Sequence, residues 1–427
     1  RIEEFVNYFK YEYPLPEGEV PCSMSSEVSD CPWNAEHRLV HIGLQGKDID
    51  PAEQRPSNLV FLVDVSGSME APNKLAMLKR AFRMLLDNLD DSDRVALVTY
   101  AGSAGLVLPS TPASEKRKIM HAMSLLDAGG STAGGAGIQL AYKVARENFI
   151  EDGNNRVILA TDGDFNVGTS SDGDLVRLIE SKRQEGVYLT ICGFGMGNYK
   201  DSKMEQISNA GNGNYFYIDN LAEAKRVFVT DMRATLFTIA KDVKIQVEFN
   251  PVHVQSYRLI GYENRLLAKE DFDDDQKDAG ELGAGHTVTA LYEVVPVGAE
   301  SAARETTALK YQASTLTNQA RNSGDLLTLK LRYKPETVEE SQLLERVVTD
   351  AGSTLETSSE NFRFSAAVAG YGMLLRQSEH KGTVTYDQVV ELAENARSFD
   401  PHGDREEFVR LVRDAAMLDQ PMLEAEK

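Results

Sequence analysis

A carboxylate and two hydroxyls alternate in Asp64-Val65-Ser66-Gly67-Ser68. All three side chains end in hard oxygen donors, the kind that hold Mg²⁺ and accept Mn²⁺ or Ca²⁺ in its place. Gly67 gives the turn the freedom to bring Ser66 and Ser68 round one point. The residues before them, Leu59 to Val63, are all apolar, as in a central strand of a parallel sheet that is buried on both faces. Asp64 ends that strand on its carboxyl side. Loops leaving the carboxyl ends of strands form the ligand crevice of open α/β sheets, so the three donors arrive there together. The same residue types also serve turns and helix caps, and the triad alone leaves both readings open.

Asp-x-Ser-x-Ser resembles the metal-ion-dependent adhesion site of von Willebrand factor A domains. That pattern continues with a Thr after a glycine pair and an Asp after another apolar strand. Both have counterparts here, in Gly129-Gly130-Ser131-Thr132 and in Asp162 at the end of VILATD. Ser131 is an extra residue after the glycine pair, and counting back from Ile138 matches Thr132 to the family's threonine. The resemblance implies that Ser66 and Ser68 bind the metal directly, while Asp64 either binds through water or holds the serines. It also implies that Thr132 and Asp162 compete. When Thr132 coordinates, Asp162 withdraws to a water, and the poorly neutralised cation accepts an Asp or Glu carboxylate from a partner protein. Glu70, Asn73, Ser131 and Asp164 are candidates for the rim of this crevice or for hydrogen bonds to the ligands, with solvated loop residues as the alternative.

With 427 residues, 42% hydrophobic and 26% charged, the chain has room for two or three domains with sizeable cores. It holds no apolar run of about 18 residues, so no spanning helix is expected. A net charge of -21 argues against nucleic acid or an anionic membrane as a general partner. Cys192, in VYLTICGF, reads as a buried thiol. Cys22 and Cys31 flank SMSSEVSD and could close a small loop by a disulfide if the protein is exported; free thiols are the alternative.

The elements that must position these residues follow from periodicity. Ile2, Phe5, Val6 and Phe9 predict a short helix, SMSSEV and HRLVHIGLQ two strands, and residues 48 to 57 a linker, which together make an N-terminal segment 1–57 that packs on the later β domain. Over 58–236 strands and helices alternate, which predicts an α/β fold, a doubly wound, mostly parallel, Rossmann-like sheet. Alternating strands over 237–335 predict an antiparallel β-sandwich, completed by strands from residues 20 to 47, so that the α/β domain is inserted in it. Helical spacing returns over 336–427, at Ser341 to Val348, Phe362 to Leu375, Tyr386 to Ala396 and Arg405 to Met417. Asp271, Asp273 and Asp275 have Ca²⁺-loop spacing, but Gln276 replaces the turn glycine and Leu282 the bidentate Glu, so a solvated loop is expected.

The order of NYF and YPLP, then CPWN-EHR-IGL, the adhesion-type domain and TIAKDVKIQVEFNP is similar, over nearly the whole chain, to a bacterial family of von Willebrand factor A domain proteins with a C-terminal domain of unknown function. The likeness implies export to the periplasm or tethering at the cell envelope, with a cytoplasmic location as the alternative. The expected function is non-enzymatic: a metal-dependent protein-binding module. A Mg²⁺-dependent hydrolase is a second class, but the serines lie outside Gly-x-Ser-x-Gly and none of the seven histidines falls in the three loops. A structural envelope protein, or a subunit presenting targets to an ATPase, is a third.

Overall fold

The structure is a computed structural model that describes residues 1–50, 54–130, 134–163, 172–195, 201–262, 267–275, 277, 279–299, 316–335, 338 and 340–419. Ser131, Thr132 and Asp164 lie outside the described residues. The chain divides into two units, one of Arg1–Lys47, Ile239–Gly280 and Gly285–Lys427, the other of Asp48–Thr238 with Glu281–Ala284.

The chain opens with α1 (Ile2–Tyr8), β1 (Cys22–Cys31) and β2 (Asn34–Gly46) before entering the α/β unit. That unit runs β3 (Ser57–Asp64), α2 (Leu75–Asn88), β4 (Arg94–Tyr100), β5 (Ala104–Pro112), α3 (Lys116–Ser124), α4 (Gly134–Glu147), β6 (Asn154–Thr161), α5 (Asp172–Gln184), β7 (Val187–Phe194), α6 (Asp201–Ala210) and β8 (Tyr215–Ile218). A last helix passes through α7 (Leu221–Lys225), a π-helical stretch (Arg226–Asp231) and α8 (Met232–Leu236). The strand order is β5-β4-β3-β6-β7-β8, parallel throughout except for the antiparallel edge strand β5.

Central β3 is buried along its whole length. Leu59, Phe61 and Val63 pack with Leu78, Phe82 and Leu85 of α2, whereas Val60 and Leu62 pack with Ile138 and Tyr142 of α4 and Ile179 of α5. Both pleat faces therefore demand apolar residues, which is why the run shows no alternation. Full burial of each such side chain contributes about 1.5–3 kcal/mol, so a slip of β3 would be costly, and Asp64 is pinned at the crest.

The remaining elements are β9 (Thr238–Phe249), β10 (Val254–Leu259), β11 (Gly280–Gly283), β12 (Thr287–Pro296), α9 (Asn318–Asn322), β13 (Asp325–Pro335), β14 (Gln342–Thr349), α10 (Glu360–Leu375), α11 (Tyr386–Glu394) and α12 (Asp404–Asp419). They form two antiparallel sheets, β1-β2-β12-β10 and β11-β9-β13-β14. Val28, Val40, Ile42 and Val294 of the first share a core with Leu327, Leu329 and Val348 of the second, so this is the expected sandwich, built partly from the N-terminal strands. Helix α10 is buried almost all round and packs on Ile2, Val6 and Phe9 at the N-terminus and on Phe408 of α12. Residues 1–47 and the C-terminal helices thus belong to one unit with the sandwich.

Two expectations are corrected. Residues 341–348 are not helical: Leu343, Leu344, Val347 and Val348 mimic helical spacing, but the segment forms edge strand β14 against β13, with Leu344 opposite Leu331 and Val348 opposite Leu327. The β-branched run Val347-Val348-Thr349 suits that strand, and the pairing prevails over the apparent period. Cys22 and Cys31 are both buried free thiols at opposite ends of the extended strand β1. At about 3.3 Å per residue they lie roughly 30 Å apart, far beyond the reach of a disulfide. Burial pushes the Cys22 thiol up to about 11 and the Cys31 thiol to about 12, which makes both inert.

Candidate metal site

Parallel register assembles the crest. Asp64 lies opposite Tyr100 of β4, and Val63 opposite Ala160 of β6, so Thr161 and Asp162 emerge beside Asp64. Asp64 is fully buried. Its Oδ1 accepts the Ser66 backbone N–H at 2.8 Å, and its Oδ2 accepts the Tyr100 hydroxyl at 3.0 Å and the Thr161 hydroxyl at 3.3 Å. These bonds curl the chain so that the Ser66 and Ser68 hydroxyls sit 3.0 Å apart, Ser66 buried and Ser68 exposed. A 3₁₀ turn, Gly67–Glu70, carries the chain away; it leaves Glu70 exposed, while Asn73 is half-buried just before α2.

The loop that leads to Thr132 is tied to the same turn. Gly129 N–H donates to the Val65 carbonyl at 2.7 Å, and Gly67 N–H to the Gly130 carbonyl at 3.2 Å. Gly130 has φ +88°, a left-handed conformation that favours glycine. Asp162 completes the described set. Its Oδ2 accepts from Lys74 Nζ at 2.9 Å, and the same ammonium donates to the Ser68 carbonyl at 2.9 Å. Four predicted residues, Asp64, Ser66, Ser68 and Asp162, are therefore gathered at one end of the sheet.

Burial pushes the Asp64 carboxyl above its usual range; hydrogen bonds from Ser66 and Tyr100 recover part of that cost, and the charge of Asp162 adds to it. Among the described residues, the groups that hydrogen-bond Asp64 are all neutral. Such an environment disfavours a bare carboxylate and favours a cation placed against it. Among the described residues no three His, Cys, Asp or Glu side chains cluster, so a metal here would rely on hydroxyls beside two carboxylates. The oxygen donor set fits a hard cation, and the Lys74 ammonium already stands in for one between Asp162 and Ser68.

Sequence reasoning missed Lys74, Tyr100 and Thr161. Tyr100 and Thr161 were findable as polar residues ending apolar strands that flank β3. Lys74 carried another signal: it is a cation at the N-terminus of a helix, where the backbone dipole opposes it. Elsewhere, Asp273 pairs with Arg332 at 2.7 Å and Asp271 with Lys277 at 3.2 Å, so basic side chains answer the acidic loop.

Three family models match: von Willebrand factor over residues 1–41, von Willebrand factor type A domain over 58–230, and Uncharacterized protein YfbK, C-terminal, over 234–418. The chain is 41% identical over 419 residues to Uncharacterized protein YfbK of Escherichia coli (strain K12), covering 96% of this chain and 72% of that protein. It is 27% identical over 177 residues to human inter-alpha-trypsin inhibitor heavy chain H3, covering 39% of this chain and 20% of that one. Among solved structures, von Willebrand factor type A from Catenulispora acidiphila aligns with TM-score 0.47 at 16% identity, over 91% of this chain and 89% of that one. The α/β unit is a protein-interaction module of the von Willebrand factor A superfamily. The chain belongs to the YfbK family, bacterial proteins that join a von Willebrand factor A domain to a YfbK-type C-terminal domain.

Proposed function

We propose that the α/β unit binds a partner protein through a divalent cation at its crest, Mg²⁺ first and Mn²⁺ or Ca²⁺ as substitutes. Asp64, Ser66, Ser68 and Asp162 would hold it together with Thr132. The observation that carries this reading is the buried Asp64, met by neutral hydrogen-bond donors among the described residues and placed beside two serine hydroxyls and a second acid. The cation supplies a Lewis-acidic position that takes up a carboxylate oxygen of the partner. The chain's residues do the rest. Tyr100 and Thr161 fix the Asp64 carboxylate, Asp64 orients Ser66 through its N–H, and Gly129 and Gly130 clip the threonine loop to the serine turn. In a chain of net charge -21, a cation held largely by hydroxyls is what lets an acidic surface accept an acidic group.

A hydrolase reading finds less support, because the Ser66 hydroxyl is met by Ser68 and by Asp64, and no histidine hydrogen-bonds it among the described residues. The test is a pull-down from envelope extract with and without chelator, using the wild-type chain and Asp64→Ala. Partners retained only in Mg²⁺, and only by the wild type, support the proposal. Retention that ignores both chelator and substitution contradicts it.

A further inference from the structure

The crest carries its own cation. Lys74 places an ammonium 2.9 Å from Asp162 Oδ2 and 2.9 Å from the Ser68 carbonyl oxygen, joining two residues of the candidate metal set. We propose that Lys74 is a tethered competitor of the divalent cation, which must displace this ammonium from Asp162 before the crest can engage a partner; the inference rests on the metal-site reading above.

Lys74 is held in place rather than free on the surface. Its side chain is 16% exposed and that of Asp162 5%. Its stem lies against the backbone of Gly195, where a Cβ would come within 2.4 Å of Lys74 Cε and 2.9 Å of Cγ. Gly195 itself has φ +86°, and its carbonyl accepts the Tyr217 hydroxyl at 2.6 Å, so the wall of this slot is fixed by two strand ends. A cation at the start of α2 faces the positive end of the helix dipole, and Asp162 is the group that offsets this.

The two occupants exclude each other electrostatically. With the ammonium on Asp162, that acid is neutralised and little positive charge remains to attract a partner's carboxylate. With a divalent ion on the same acid, like-charge repulsion drives the ammonium off, and the crest gains positive charge where a partner would dock. Lys74 thus keeps the site self-satisfied at low metal concentration and raises the concentration at which it loads.

The experiment titrates the whole chain with MgCl₂ by calorimetry and with Mn²⁺ by electron paramagnetic resonance, for wild type, Lys74→Met and Lys74→Arg. Methionine keeps an unbranched apolar stem beside Gly195 and removes the charge; arginine keeps the charge. The expected result is apparent affinity about tenfold tighter in Lys74→Met, because the competent state no longer has to be freed from the ammonium, and no tightening in Lys74→Arg. Wild type that binds metal while folded Lys74→Met binds equally or more weakly overturns the competitor role and leaves the metal site standing. Failure of every protein, including wild type, to bind Mg²⁺ or Mn²⁺ overturns both. Should Lys74→Met lose its circular dichroism, Lys74→Gln is read by the same criteria.

Discussion

Glu293 of β12 and Asp64 of β3 are both buried carboxylates on sheet strands, and their surroundings differ in kind. Glu293 accepts from His37 Nδ1 at 2.6 Å, from Trp33 Nε1 at 3.0 Å and from the Arg258 guanidinium. Burial raises its pKa, but these bonds outweigh burial and leave it below the usual range. Asp64, met by neutral donors, stays above it. The β/helical unit answers its buried acid with its own base and aromatic N–H, which locks strands β2, β10 and β12 together. The α/β unit leaves its acid electrostatically unbalanced, which is the condition for taking a ligand cation.

The largest way to break this contrast is Glu293→Ala, which strands Arg258 and His37 in a buried site. A loss of about 3–5 kcal/mol in folding stability is expected. Trp33, the only tryptophan, lies in the same unit and reports it in urea unfolding by fluorescence. A loss under about 1 kcal/mol would contradict a structural role for the network.

Acidification separates the units next. Burial holds His41 neutral, lowered to about 4, so the unfolded chain takes up a proton first as the pH falls below about 6.5. The stability this histidine gives the β/helical unit is full above that pH and falls by up to roughly 3 kcal/mol as pH drops to 4. Urea midpoints of Trp33 fluorescence at pH 7 and pH 4.5 check this. The contribution of Asp64 runs the other way: it is greatest below the ordinary carboxylate range and is lost as pH rises through the raised pKa.

Gly195→Ala forces a side chain into a left-handed backbone and onto the Lys74 stem, and is expected to cost about 2 kcal/mol, read as a lowered melting temperature without metal. Smallest in stability is Asp64→Asn, expected within about 1 kcal/mol of wild type without metal, because it removes a charge the fold does not balance. The same substitution abolishes the Mg²⁺-dependent rise in melting temperature that a ligand of the native state produces. Equal Mg²⁺ shifts in both proteins would contradict the role of Asp64.

What was legible in the sequence follows from these physics. Two-sided burial of β3 wrote an unbroken apolar run, and strand ends wrote Asp64 and Asp162 where the crevice forms. The edge strand β14 was misread because two of its four apolar residues, Leu343 and Val347, are solvent-facing, which erases the two-residue period. The proximity of Cys22 and Cys31 in sequence suggested a bond that an extended strand forbids. Lys74 escaped because its meaning lies in Asp162, 88 residues away.

The most direct measurement is anomalous diffraction from crystals of the whole chain grown in Mn²⁺. The expected result is one peak bounded by the side chains of Asp64, Ser66, Ser68 and Asp162, with the Lys74 ammonium withdrawn from Asp162. Density at saturating Mn²⁺ showing no peak there, and Lys74 still bonded to Asp162, would contradict it.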